Sequence, residues 1–446
     1  MRWVCCTAVM LSACYSPKIV GGAPCDPSHP TSCPDGETCV AMGARGVCTS
    51  EHGGPPVDAA APDVPDVMVP DGGVCLGNRL LGSICLSRAP TAPVTLTAAT
   101  INTATINTDT TTTRGCTELH PQSGGPTLCL IVGTTIDVPA GVTIRAIGLD
   151  PGGSTATATN PLVLIATQSI TIAGTIDVSS HFNETIGGAP ALGAGARTLT
   201  GCFVAGVDGQ PGTGNNGGGG AAGGSFGALG GNGGTGGNNG GTPRGTASGA
   251  AAPTVLFGGC PGGKGGDGAG APAGGDNTGG SGGRPGGAVY LLAGDSITIS
   301  GSGKINASGA GGAGGGPGFN SSGGGGGGGA GGMIGLEAAH ITSTGVMFAN
   351  GGGGGAGGGN QGDNDAGKPG SDPSVATAAA AGGAGSNNGG AGGAGAVTTT
   401  APVVGKNGGG NAPQCAGGGG GGAIGVIRVF GVAPGTVGGT VSPPAT

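Results

Sequence analysis

Short stretches of alternating apolar and polar residues recur along the chain, and a glycine separates them into pairs. Ile170-Thr171-Ile172 is followed by Gly174 and then by Ile176-Asp177-Val178. Alternation places the apolar side chains on one face of a strand and the Thr, Ser, Asp or Asn side chains on the other. The same pattern occurs at Ile136-Asp137-Val138, followed by Gly141 and Val142-Thr143-Ile144. It recurs at Ile297 and, less cleanly, at Ile341, and a last strand pair is predicted in residues 424–430.

Two copies of the plan follow one another in residues 287–355, where each copy ends in a run of glycines. Units of this kind bury their apolar rows against neighbouring units in a parallel β-helix or β-solenoid. An antiparallel β-sandwich is the competing interpretation, but the repeated glycine corner inside units of variable length favours the solenoid. We therefore expect an all-β fold in which residues 131–446 form a glycine-rich β-solenoid domain.

Long glycine-rich insertions separate the predicted strands, at roughly residues 206–286, 309–332, 351–396 and 408–423. Collagen is excluded because the period of three breaks repeatedly and proline is sparse. Two interpretations stay open. The insertions are disordered linkers, or they are polyglycine-II-like helices with three residues per turn, bonded side by side through backbone N–H and C=O groups. Their matched positions at strand edges favour the ordered bundle.

Composition narrows the class of protein. Glycine supplies 117 of the 446 residues, whereas charged residues make up 8% and aromatic residues 2%. So few aromatic side chains argue against a conventional large core. The net charge of −7 is thinly spread, with no basic stripe, which excludes nucleic acid as an expected partner. Fourteen cysteines indicate an oxidising compartment.

The N-terminus predicts how the chain reaches that compartment. An apolar run, too short to span a bilayer, ends in Leu11-Ser12-Ala13-Cys14. The tetrapeptide resembles a bacterial lipobox, which implies that residues 1–13 are removed as a signal peptide and that Cys14 carries a lipid. Residues 14–24 would then be a lipidated tether. Tyr15, in place of the Asp associated with inner-membrane retention, implies a lipid-anchored, surface-exposed position on the outer membrane. The alternative is an ordinary secretory signal with an incidental cysteine.

Cysteines and prolines divide the region before the predicted solenoid. Residues 25–48 form a small disulfide-rich module that resembles EGF-like modules, with three possible pairings. Residues 49–72 are a Pro/Asp-rich linker, extended because repeated proline excludes helix. Residues 73–130 are predicted to be a disulfide-stapled N-terminal cap. The disulfide candidates of module and cap are Cys25, Cys33, Cys39, Cys48, Cys75, Cys85, Cys116 and Cys129.

Three further cysteines lie at the edges of glycine insertions. A Cys202–Cys260 bridge is predicted to close one insertion, and Cys415 is then left over. No metal site or cofactor is predicted. Gly262-Gly263-Lys264-Gly265-Gly266-Asp267 fits part of a calcium-binding nonapeptide, but the copy is single, whereas such sites need tandem copies.

Isolated matches to catalytic motifs do not converge. Ile19-Val20-Gly21-Gly22 matches the activated N-terminus of trypsin-like proteases, but no matching nucleophile segment exists. Asp177, Ser180 and His181 include all the residue types of a catalytic triad, but triad members normally come from separate parts of a fold. We interpret these residues as a strand end followed by a turn. Asp177, Asp208 and Asp267 are scattered along the chain. No catalytic residue is predicted.

Residues 128–446, with runs such as Gly390-Ala391-Gly392-Gly393-Ala394-Gly395, resemble glycine-rich, PGRS-like surface proteins. The complete layout resembles glycine-rich lipoproteins of predatory or social Gram-negative bacteria. The resemblance implies a non-enzymatic, lipid-anchored surface protein with a structural or adhesive role. Its expected partners are the membrane, through the lipid, and envelope or matrix polysaccharide or other cells. The alternative is a secreted or surface β-helix enzyme that acts on polysaccharide, since such enzymes also use parallel sheets.

Overall fold

A computed structural model describes most of the chain in two compact units, Met1–Met68 and Val69–Thr446. The described residues are 24–25, 37–42, 45–50, 73–97, 105–109, 115–149, 159–186, 189–198, 202, 205–237, 242–249, 253–270, 276–318, 320–359, 365–409, 413–431 and 437–446. Within these ranges every regular element is a β-strand, as the predicted all-β class requires.

The strands are β1 (Pro24–Cys25), β2 (Glu37–Met42), β3 (Arg45–Ser50), β4 (Val74–Arg79), β5 (Gly82–Leu86), β6 (Val94–Thr95), β7 (Thr105–Asn107), β8 (Glu118–His120), β9 (Leu128–Val138), β10 (Thr143–Leu149), β11 (Leu162–Ile172), β12 (Thr175–Asp177), β13 (Thr185–Ile186), β14 (Ala189–Gly193), β15 (Ala288–Ala293), β16 (Ser296–Ile299), β17 (Lys304–Asn306), β18 (Met333–Ala338), β19 (His340–Ser343), β20 (Val346–Phe348), β21 (Val426–Gly431) and β22 (Thr440–Ser442).

The first unit contains a small antiparallel sheet in the order β1-β3-β2. In the hairpin of β2 and β3, the backbone positions of Cys39 and Cys48 lie opposite each other. Cys25 is in β1, next to β3. Cys14 and Cys33 fall outside the described residues, as do the predicted signal peptide and most of the predicted linker.

Two parallel ladders run through the second unit. In the first, β9 pairs with β11, β11 with the consecutive strands β15 and β16, these with β18 and β19, and β18 with β21. In the second, β10, β12, β17, β20 and β22 pair in that order. The predicted repeats therefore lie in register beside one another, and the pairing between them is parallel. Of the region predicted as a cap, β6 and β8 add to β9.

The core contains the apolar rows that the alternation predicts. Ile136, Ile170, Ile297 and Ile341 occupy successive strands of the first ladder in direct register, and each is at most 1% exposed. They join a single buried cluster with residues of the second ladder, of which Ile144, Ile176, Ile305 and Met347 are members. Burial of a row of such side chains contributes about 1.5–3 kcal/mol per residue. The two ladders are therefore held together by the inward faces of their strands.

The other face of the first ladder is partly covered. β15 and β18 are buried along their whole length. Their outward side chains pack in a second cluster with Phe226, Leu256 and Phe257 of the first glycine insertion and with Ile84 and Leu86 of the β4–β5 hairpin. The few aromatic side chains of the insertion thus attach it to the sheet.

The glycine insertions contain little strand, but their backbones are hydrogen-bonded to one another. Residues 324–332 donate in three directions, and each direction recurs at every third residue. One set of amides donates to residues 260–266, a second to 417–423 and a third to 307–313. In these bonds, written from the donor amide to the acceptor carbonyl, all N–O distances are 2.7–3.0 Å. The first set is Gly324 to Gly266, Gly327 to Gly263 and Ala330 to Cys260; the second is Gly325 to Gly417, Gly328 to Gly420 and Gly331 to Ala423; the third is Gly326 to Ala313, Gly329 to Ala310 and Gly332 to Ala307.

Two details differ from the sequence prediction. The strand pair expected in residues 424–430 is a single strand, β21, and the second ladder ends instead in β22, after Gly439. The corner glycines also serve different purposes. Gly141 adopts a positive φ of 77°, which favours glycine because it has no β-carbon. At Gly174 an added β-carbon would collide with the carbonyl oxygens of residues 139 and 142, so that corner needs glycine for close approach.

Candidate functional site

Five charged side chains meet at the end of the second ladder. This charged cluster consists of Arg145, Asp177, His181, Glu184 and Asp372. Arg145 and Asp177 occupy neighbouring strands in direct register, and their Nη1 and Oδ2 atoms are 2.9 Å apart. The guanidinium also donates from Nε to Glu184 Oε1 at 3.1 Å and from Nη2 to the second oxygen of the same carboxylate.

His181 links this group to a glycine insertion. Its Nε2 lies 3.4 Å from Asp177 Oδ2, and its Nδ1 lies 3.4 Å from Asp372 Oδ2. Asp372, in the insertion, also accepts the amides of Phe182 at 3.0 Å and Gly311 at 2.8 Å. One carboxylate therefore joins the loop after β12 to two separate glycine segments.

The pKa values reflect this pairing. Hydrogen bonds from His181 to Asp177 and to Asp372 raise the pKa of the imidazole to about 9, against the opposing effect of burial. Burial alone would raise the pKa of Asp177, but the bond from His181, the charge of Arg145 and bonds from Ser179 outweigh it and lower the pKa to about 2. The pKa of Asp372 is also lowered, since its bonds outweigh burial. At neutral pH the imidazole is therefore a cation between two carboxylates.

The cluster brings a serine, a histidine and carboxylates together: Ser179 Oγ lies 3.3 Å from His181 Nε2, and His181 Nδ1 lies 3.4 Å from Asp372 Oδ2. Ser180 is buried, and its hydroxyl donates to the carbonyl of Pro285 and accepts the amide of Gly193 at 2.9 Å. The hydroxyl of Ser179 donates directly to Asp177 Oδ1 at 2.6 Å. Activation of the Ser179 hydroxyl would need a neutral imidazole, whereas the bonds to Asp177 and Asp372 raise the pKa of His181 and keep it protonated at neutral pH. The charges bind one another and hold the insertion against the sheet.

The predicted motifs near Lys264 have a similar explanation. Lys264 Nζ is 2.8 Å from Asp267 Oδ1, and the same carboxylate accepts the amide of Gly279 at 2.7 Å. Asp208 accepts the amide of Lys264 at 2.7 Å. Asp208 and Asp267 are thus brought together by one lysine, and among the described residues neither is hydrogen-bonded to the charged cluster that contains Asp177. Within the described ranges, no group of three His, Cys, Asp or Glu residues is arranged to hold a metal ion.

A buried carboxylate fixes the β4–β5 hairpin on the first ladder. Glu337 is 7% exposed, and its two oxygens accept the amide of Asn78 at 2.8 Å and the hydroxyl of Tyr290 at 2.7 Å. Burial, and then the bond to this carboxylate, raise the pKa of Tyr290 above its ordinary value. This pair could not be predicted from the sequence, since a glycine insertion separates Tyr290 from Glu337.

Disulfides close the hairpin, the region before β9 and the first insertion. They join Cys75 to Cys85, Cys116 to Cys129 and Cys202 to Cys260. The thiol of Cys415 is free and buried, and burial raises its pKa. A reactive thiol is normally accessible and has a lowered pKa, so Cys415 does not resemble one.

Comparison with known proteins does not assign this chain to a family. No family model, curated protein or solved structure matches the chain. No helix in the described ranges is long and apolar enough to cross a membrane.

Proposed function

We propose that this protein is a lipid-anchored, non-enzymatic cell-surface protein with a structural or adhesive role, and that its second unit is a β-solenoid with polyglycine-II-like insertions. The observation that carries the proposal is the threefold pattern of hydrogen bonds in residues 324–332. A helix with three residues per turn directs successive amides to three different neighbours, and only a backbone almost free of side chains can pack so closely. The insertions then form one rigid body with the sheets.

The parallel, in-register pairing of the repeats supports the solenoid part. Each repeat contributes one strand or two consecutive strands to the first ladder and one strand to the second, and adjacent repeats contact each other through both ladders. In such an arrangement stability comes from contacts between neighbouring units, which suits a stiff spacer or display element. Cys14, its lipobox and the Pro/Asp-rich linker support the anchor.

The alternative, an enzyme that acts on polysaccharide, has less support. Such an enzyme needs acids, bases or cations that face the substrate. The cluster of Arg145, Asp177, His181, Glu184 and Asp372 instead satisfies its charges internally. Release of reducing ends or of unsaturated uronic acid from polysaccharide by the purified full chain would support the enzyme.

The anchor is tested by expressing the full chain in a Gram-negative host fed with labelled fatty acid. Wild-type protein is expected to take up the label and to be cleaved by protease added to intact cells. The control is Cys14→Ala, which removes the thiol but leaves the rest of the chain unchanged. Equal labelling of both proteins, or no labelling of either, would refute the lipid anchor. Protection of the labelled protein from external protease would refute surface display.

A further inference from the structure

Within the described residues, one part of the first ladder has an exposed face that carries hydroxyl groups in register. Thr171, Thr298 and Thr342 lie directly opposite one another on β11, β16 and β19, and all three are exposed. Ser169 and Ser296 form a second, half-buried column beside them. We call these five residues the hydroxyl face.

The face is rigid and has free hydrogen-bonding capacity. The residues between its two columns on β11 and β16, Ile170 and Ile297, are fully buried in the core, so the alternation fixes the outward direction of the hydroxyl side chains. Within the described part of the chain, none of the five hydroxyls makes a hydrogen bond to another protein group. All of them can therefore donate to and accept from an external partner.

Charge lies at the borders of the face. Asp137 continues the threonine column on β9, and His340 continues the serine column on β19. The five residues between them are neutral and include no aromatic ring. A neutral face of hydroxyls matches a neutral partner that offers hydroxyls in return, and it lacks the cations that an acidic polymer requires.

The dimensions limit the partner further. Neighbouring strands are about 4.8 Å apart and alternate residues along a strand about 6.6 Å apart, so even with its borders the face covers only about 20 by 10 Å. A stable protein interface needs about 800 Å² on each partner. The face is too small for a second copy of this chain, but it is large enough for a few sugar units.

The partner must also be ordered before it binds. A bond between two hydroxyls replaces bonds to water and therefore contributes little. A flexible soluble glycan would lose conformational freedom on binding, and the face has no aromatic ring on which a sugar could stack. In a crystalline β-linked glycan the chains are already immobile, so little conformational freedom is lost when they bind a rigid face.

We propose that the hydroxyl face binds the surface of an insoluble, neutral β-linked polysaccharide, with the glycan chain lying across the strands. This inference rests on the proposed function, since it requires the chain to be displayed on the cell surface. It adds the chemical class of the partner.

The test mixes the detergent-extracted full chain with microcrystalline cellulose or chitin and measures the fraction that sediments. Thr171→Val/Thr298→Val/Thr342→Val removes three hydroxyls but keeps β-branched side chains. The matched control changes three exposed threonines away from the face to valine, namely Thr377 in a glycine insertion and Thr399 and Thr400 just after it. Loss of three hydrogen bonds is expected to weaken retention about tenfold or more, whereas the control should bind like wild type.

Four outcomes would overturn the inference. They are no retention of the wild type on either solid, equal retention of both variants, binding to soluble oligosaccharides alone, and adsorption to ice without adsorption to either polysaccharide. Fatty-acid labelling of the same cells separates this inference from the proposed function. If the protein is labelled and surface-exposed but does not sediment with cellulose or chitin, only the proposal that the hydroxyl face binds polysaccharide is refuted. Unlabelled protein that still binds them refutes only the anchor.

Discussion

Replacement of Gly328 by alanine is the most direct test of the proposal that the glycine insertions form an ordered, hydrogen-bonded bundle. Gly328 lies in the middle of residues 324–332, and its amide donates to Gly420 while its carbonyl accepts the amide of Gly224, both at 2.9 Å. A β-carbon added there would lie 2.7 Å from the carbonyl carbon of Gly352, and closer still to the oxygen of that carbonyl. One methyl group therefore has no space.

The loss of stability in Gly328→Ala can be estimated from the groups that the new methyl group displaces. The carbonyl of Gly352 accepts the amide of Gly422 at 2.8 Å, so its displacement by about 1 Å breaks a buried hydrogen bond in a neighbouring segment. Overpacking of a dense interior and loss of such a bond together cost about 2–6 kcal/mol. The matched control is Gly301→Ala, in an exposed turn where the nearest atom would be 3.9 Å away. The control is expected to be neutral, or slightly stabilising through the unfolded chain.

Amide hydrogen exchange of the oxidised full chain, read by mass spectrometry, distinguishes the two variants. Gly328→Ala should speed exchange in residues 324–332, 351–359 and 413–423 by about thirtyfold or more, since 1.4 kcal/mol corresponds to tenfold. Peptides from the strands should change less. Coil-rate exchange of these segments in the wild type, or identical exchange in both variants, would refute the ordered bundle and favour flexible linkers.

Three further outcomes are expected from the charged cluster, the buried tyrosine and the insertion disulfide. The contribution of His181 to stability is present below pH 6.5 and lost as pH rises through about 9, and that of Asp177 is present above pH 3.8 and lost as pH falls through about 2. Amide protection around the cluster should therefore be greatest between these limits. Tyr290→Phe should destabilise the protein by about 1–3 kcal/mol, because a buried carboxylate loses a donor. Cys202→Ser/Cys260→Ser should lower stability by about 2–4 kcal/mol in urea unfolding.

Each of these expectations has a contrary result. A pH profile of protection that is unchanged in His181→Gln would remove the imidazole from the explanation. Equal stability of Tyr290→Phe and wild type would mean that its hydrogen bond to Glu337 contributes nothing. An unchanged urea midpoint in the double cysteine variant, or in wild type after reduction, would show that the bridge is not needed to hold the insertion.

The strands could be predicted because side chains mark them. Ile170, Ile297 and Ile341 have polar neighbours on both sides, and this alternation identifies the inward face without knowledge of the rest of the chain. The final strand was harder to locate. The last strand of the second ladder, β22, begins about ten residues after β21, beyond Gly439. There the alternating pattern Thr440-Val441-Ser442 is only three residues long, which is too short to identify a strand from sequence.

The neighbours of the glycine segments could not be predicted. One glycine amide is chemically like the next, so the sequence does not say that Gly327 bonds to Gly263 and Gly328 to Gly420. The charged cluster was missed for a related reason. Arg145 and Asp177 share a register that follows from the repeat, but Asp372 reaches His181 only through the path of an insertion. Aperiodic contacts between distant segments leave no local pattern.

The proposed polyglycine bundle would separate the residues that hold the fold from those at the surface. Glycine loses more conformational freedom on folding than any other residue, so an ordered segment requires that most of its amides be bonded. Once these bonds are made in the interior, side chains are excluded there but free to vary on the outermost segments. In the outer segment at residues 373–376, Pro373 and Ala376 are buried, while Ser374 and Val375 between them are exposed. In the proposed polyglycine arrangement, a turn of three residues would present such side chains outward without disturbing the interior, so the surface could change while the glycine framework stays constant.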